Sequence, residues 1–157
     1  MIRTLCALVF LAIGCSYEKD DAVDSVYVQM QGQVDQLRLA LKEHPASPLI
    51  EYEMGRLFAE YGLMDSARAA FERSLALHEA FPEAHNDLGY VQKRLGDLDG
   101  AGRSYERAVA IDSSFVEAYN NLGQVYKAQG RSEKAIEVFR RAIAIRRDFA
   151  VAYVNLA

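Results

Sequence analysis

The chain has 157 residues, 51% hydrophobic and 25% charged, which is enough for one domain of ordinary size with a packed core. Its net charge of −4 and the absence of any basic run interleaved with aromatics exclude nucleic acid as a partner class. The two cysteines, Cys6 and Cys15, both fall in the first fifteen residues, so the body of the chain has neither a disulfide scaffold nor a cysteine metal site.

The N-terminus reads Met1-Ile2-Arg3, continues with the apolar run Leu5 to Ile13 and ends in Gly14-Cys15. A cation, a short apolar stretch and a small residue describe a secretory signal peptide, and the run is too short to span a bilayer. The segment Leu11-Ala12-Ile13-Gly14-Cys15 resembles the lipobox of bacterial lipoproteins, with Ala12 where leucine is usual. The resemblance implies cleavage after residue 14, lipidation of the Cys15 thiol and anchoring in a bacterial envelope. With Ser16 rather than Asp after the cysteine, it points to the outer membrane, facing the periplasm. Several acyl chains hold a protein at a bilayer far better than one. Loss of residues 1–14 removes Arg3 alone among the charges, taking −4 to −5. Residues 15–24 then read as the lipidated cysteine and an acidic, solvated tether.

Residues 25–47 follow as an N-terminal packing helix. Val26, Met30, Val34, Leu37 and Leu41 step by four, four, three and four, which is one helical face.

A period of 34 governs the rest. Gly55, Gly89 and Gly123 keep it, as do Gly62, Gly96 and Gly130, then Ala67, Ala101 and Ala135. Phe71, Tyr105 and Phe139 follow suit, and Phe81, Phe115 and Phe149 close each unit. Small residues belong where two helices cross closely, with large apolar ones filling the gaps. Pro48 and Pro82 suit the first turn of a helix. Asp65 and Asp99 are expected to cap second helices, and Gly100 with Gly102 to soften the helix that holds them.

Period and residues together resemble the tetratricopeptide repeat, most closely in Tyr119, Leu122-Gly123, Tyr126, Gly130, Ala135, Phe139 and Ala142. Departures are Gln92 for an aromatic, Ser74 for an alanine and the missing terminal prolines. The resemblance implies an all-α fold, a right-handed α-α superhelix of helix-turn-helix units at 48–81, 82–115 and 116–149. Residues 150–157 begin a fourth unit, and the array is expected to continue beyond Ala157. The alternative is self-association through an open C-terminal face.

In this family the inner wall, formed by the first helix of each unit, takes protein or peptide ligands. The residues of that stripe are Glu53, Arg56 and Glu60, then Asn86, Asp87, Tyr90 and Arg94, then Asn120, Asn121, Gln124 and Lys127, then Asn155. Arg56, Asn86, Asp87, Tyr90, Asn120, Asn121, Gln124, Lys127 and Asn155 form the expected partner-binding groove. A carboxamide both donates and accepts, so it suits a peptide backbone of any sequence. The succession Glu53, Asp87, Asn121, Asn155 resembles the asparagine ladder of the O-linked N-acetylglucosamine transferase family, half of it here acidic. The alternative is a merely solvated helix face. The chaperone-type carboxylate clamp does not fit, because acids stand among Arg56, Arg94 and Lys127.

Catalysis is not expected. His44, His78 and His85 lack metal-ligand partners at helical spacing. Asp97-Leu98-Asp99-Gly100 lacks the later Glu of a calcium loop. No cofactor is implied. The expected function is a lipid-anchored adaptor for a protein or peptide partner in an envelope machine, or else the targeting arm of an enzyme whose catalytic domain lies beyond Ala157.

Overall fold

A computed structural model describes residues 21–156. Cys15, the signal sequence and the first part of the tether lie outside the described residues. The helices are α1 (Asp21–Glu43), α2 (Pro48–Glu60), α3 (Met64–Leu77), α4 (Pro82–Arg94), α5 (Leu98–Ile111), α6 (Val116–Ala128), α7 (Ser132–Ile145) and α8 (Ala150–Leu156). Helix α1 starts at Asp21, so residues 21–24, expected as tether, are helical.

The chain divides into two compact units within α1, at Gln33 and Val34. In the first, Val26, Tyr27 and Val28 lie exposed on the helix. All that follows concerns the second unit, which opens with Val34 buried and Leu37 and Leu41 half-buried.

Each 34-residue period forms an antiparallel pair: α2 on α3, α4 on α5, α6 on α7. Successive pairs stack through α3 on α4, α5 on α6 and α7 on α8, and the first helices α2, α4, α6 and α8 adjoin one another. The glycines explain the pairing. A Cβ on Gly55 would stand 2.6 Å from the Phe71 ring, one on Gly89 would stand 2.9 Å from Tyr105, and one on Gly123 would collide with Phe139. Each aromatic therefore lies directly on the backbone of the facing helix. Around these contacts Ala67, Phe71, Leu88 and Val91 form one core cluster. Ala101, Tyr105, Leu122, Val125, Tyr126, Ala135 and Phe139 form the next.

The first helices end alike. Gly62, Gly96 and Gly130 hold φ of 75°, 88° and 73°, a left-handed conformation that glycine takes without cost. The next N–H reaches back to the third-last helical carbonyl, Leu63 to Phe58, Asp97 to Gln92 and Arg131 to Tyr126, which closes the helix end. Pro48 and Pro82 stand in the first turn, as expected.

The capping residues differ from expectation. Asp97, not Asp99, caps α5, its carboxylate accepting from Gly100 N at 2.8 Å. Asp99 instead accepts from the Gln129 amide at 2.8 Å, while Asp65 pairs with Arg68 at 3.1 Å. Gly100 thus belongs to the capped first turn, where a side chain would strike the Asp97 carboxylate. Two departures from the repeat pattern are compensated by hydrogen bonds. The buried Ser74 hydroxyl donates to the Pro48 carbonyl at 2.7 Å, and Ser104 donates to Gln92 at 2.7 Å.

Candidate partner-binding face

The stripe formed by α2, α4, α6 and α8 sorts its polar side chains into two sets. The first set is spent on the fold. The Tyr52 hydroxyl donates to Asp87 Oδ2 at 2.9 Å, Asn121 Nδ2 donates to Asn86 Oδ1 at 3.1 Å, and Asn155 Nδ2 donates to Asn120 Oδ1 at 2.8 Å. All three bonds span thirty-five positions, one period plus one, so the same tie recurs at three junctions. Asn86 Nδ2 also donates to Asp87 Oδ1 at 3.1 Å. Asn120 is only 5% exposed. The carboxamides expected to meet a peptide backbone therefore meet one another. Tyr52, Asn86 and Asn120 share the 34-residue spacing, and that spacing was the available signal for their part in the ladder.

Asp87 sits at the centre of this set. Burial raises its carboxyl above the ordinary carboxylate value, against the hydrogen bonds from Tyr52 and Asn86 and the nearby Arg56, which lower it. Burial, with the Asp87 charge second, also pushes the Tyr52 phenol up.

The second set is exposed or half-buried. Arg56 lies 5.8 Å from the Tyr52 ring centroid and 3.5 Å from Glu53. Tyr90 is 39% exposed, and its hydroxyl accepts from Arg94 Nη1 at 2.8 Å. Lys93 donates to Gln124 Oε1 at 3.2 Å, bridging α4 and α6, and Lys127 reaches the Asn155 carbonyl at 3.4 Å. Arg56, Ala59, Phe71, Asp87 and Tyr90 enclose an open recess of about 200 Å³. Sequence reasoning found Arg56, Asp87 and Tyr90 but missed Ala59, Phe71 and Lys93. An alanine and a core phenylalanine carry no sign of a recess until the helices are packed.

Among the described residues no cluster of His, Cys, Asp and Glu would hold a metal ion, and no helix is long and apolar enough to cross a membrane. His85 is buried, its Nε2 against the Glu79 carbonyl at 2.9 Å, and burial lowers its pKa.

This architecture, paired helices repeated every 34 residues with one continuous face of first helices, is an all-α superhelix with the fold of tetratricopeptide-repeat proteins. Residues 80–148 match the family model described as "Tetratricopeptide repeat". Among solved structures the chain resembles MamA, at 24% identity over 90% of this chain and 82% of that one, with a TM-score of 0.77. It also resembles YrrB, "a TPR protein with an unusual peptide-binding site", at 24% identity, 85% and 69% coverage and a TM-score of 0.72. A third likeness is the first repeat domain of Spaghetti (RPAP3) bound to the HSP90 peptide SRMEEVD, at 21% identity, 70% and 87% coverage and a TM-score of 0.68. No curated protein matches the sequence.

Proposed function

We propose that this protein is a lipid-anchored adaptor, held through Cys15 on the periplasmic face of a bacterial outer membrane, that captures a protein or peptide partner on the face of its first helices. The observation that carries this reading is the exposed row Arg56, Tyr90, Arg94 and Lys127 beside an open recess, on side chains the ladder does not consume. Two proteins of similar fold, YrrB and the RPAP3 domain, have peptide sites. The anchor is supported by Arg3, the run Leu5 to Ile13 and Gly14-Cys15.

Two experiments test the two halves. For capture, site-specific photocrosslinkers at Tyr90 and Lys127 should trap one envelope protein in cells, and Arg94→Glu with Lys127→Glu should abolish the adduct. An adduct that survives the double reversal removes the face from the reading. For the anchor, Cys15→Ser should move the chain from the membrane to the soluble fraction and prevent labelling by an alkyne fatty acid. Unchanged fractionation and labelling would remove the anchor.

A further inference from the structure

The recess between α2 and α4 has a composition that narrows what it would hold. Its apolar part is Ala59 and the ring of Phe71, itself 1% exposed. Its rim is the half-exposed Tyr90, over whose ring the Arg94 guanidinium lies, 5.8 Å from the centroid. An apolar cavity of about 150 Å³ accepts a benzene-sized guest. The recess, about 200 Å³, open to solvent and lined by Arg56 and Asp87 as well, is comparable in size to one aromatic side chain.

Charge around the recess is unevenly available. Both Asp87 oxygens already accept hydrogen bonds, from Tyr52 and Asn86. Arg56 faces Glu53 at 3.5 Å in an exposed pair, which holds its guanidinium weakly. Among the described residues Arg94 is engaged by a neutral hydroxyl and the Tyr90 ring, and a carboxylate is a stronger, bidentate partner for it. Further along the same side, residues 88–94 and 122–128 contain Lys93, Arg94 and Lys127 and no acid. In a chain of net charge −4 this strip is locally cationic.

We propose that the recess is a socket for one aromatic side chain of an extended partner segment, and that an acidic residue next to that aromatic in the partner leaves water for Arg94. This rests on the reading of the face as a partner-binding surface and names the chemistry of the segment it takes. The ring packs against the exposed Tyr90 and over Ala59, with buried Phe71 as the floor of the socket, and the flanking carboxylate displaces the Tyr90 hydroxyl from Arg94. The ladder of Tyr52, Asp87, Asn86 and Asn121 holds α2, α4 and α6 in register beneath, so the socket is formed before the ligand arrives.

The test uses the full chain and a dye-labelled probe peptide, Glu-Glu-Phe-Glu-Glu capped at both ends, read by fluorescence anisotropy. Replacing the central Phe by Ala should weaken binding by about tenfold or more, the loss expected for a ring that no longer buries its surface. A Lys-Lys-Phe-Lys-Lys probe should bind no better than background. Tyr90→Ala and Arg94→Glu, both at exposed positions, should each weaken the Phe probe with helical content unchanged by circular dichroism. Equal binding of the Phe and Ala probes, or full binding by Tyr90→Ala, overturns the socket. A photoreactive benzoyl group on the central ring separates this failure from failure of the adaptor reading. Crosslinks within 56–59 and 87–94 support the socket, whereas crosslinks confined to α6 and α8 overturn it and leave a partner-binding face in place.

Discussion

Asn121 donates its side-chain N–H to the carboxamide oxygen of Asn86 at 3.1 Å, tying the third repeat to the second through two residues that each looked ligand-facing. Tyr52 with Asp87 and Asn120 with Asn155 do the same at the junctions on either side. A hydrogen bond of this kind contributes about 0.5–1.5 kcal/mol, and stranding a buried partner costs about 1–3 kcal/mol. Asn120→Ala, at the most buried rung, should therefore destabilise the chain more than Asn121→Ala. A double-mutant cycle on Asn86 and Asn121 by urea unfolding should return a coupling of about 0.5–1.5 kcal/mol. Additive effects would show that the ladder carries no energy.

Asp87 is the one acidic rung among the three bonded junctions. Its native carboxyl titrates above the ordinary value of 3.8, chiefly through burial. A raised native value means the group's contribution to stability is greatest below pH 3.8 and is lost as pH rises through the native value. Asp87→Asn keeps an acceptor for Tyr52 and removes the buried charge. It should stabilise the chain at pH 7, with the gain shrinking as the pH falls towards 3.8. A loss of stability at pH 7 would show that the charge-assisted bonds outweigh burial.

Two helical glycines should respond in opposite directions. Gly123→Ala drives a methyl group into the Phe139 ring, an overpacking that costs about 1–3 kcal/mol or more. Gly102 meets nothing closer than Val125 at 3.6 Å, an ordinary contact, so Gly102→Ala should recover up to about 1 kcal/mol of helix propensity. Thermal unfolding of the two variants distinguishes a packing role from a purely conformational one.

The Tyr105 hydroxyl is fully buried without a hydrogen-bond partner among the described residues, and burial pushes its phenol above the ordinary range. Removing an unsatisfied buried donor recovers desolvation energy, so Tyr105→Phe should be neutral or stabilising, by about 1 kcal/mol. A clear destabilisation would reveal a water bound at that hydroxyl.

His85 gives the pH dependence on the acid side. Burial lowers its native pKa below 6.5, so its contribution is present above pH 6.5 and is lost as pH falls through the native value. Unfolding midpoints measured from pH 7 downward should decline, and His85→Gln should flatten that decline. An unchanged slope in the variant would assign the acid sensitivity to other groups.

Periodicity by itself determined the all-α repeat architecture, because glycines, alanines and aromatics recurring every 34 residues can satisfy helix crossing in only one register. It also placed the two prolines in the first turns of their helices. What it left open was which polar side chains on the first-helix stripe remain available. Asn86, Asn120, Asn121 and Asn155 carry the same chemistry whether they face a ligand or one another, and only the approach of adjacent first helices decides between them. The capping of α5 by Asp97 instead of Asp99 turned on a shift of two residues in the helix start, which local composition does not resolve. The recess likewise exists only in the packed array, since Ala59 and Phe71 come from the two helices of one repeat and Tyr90 from the next.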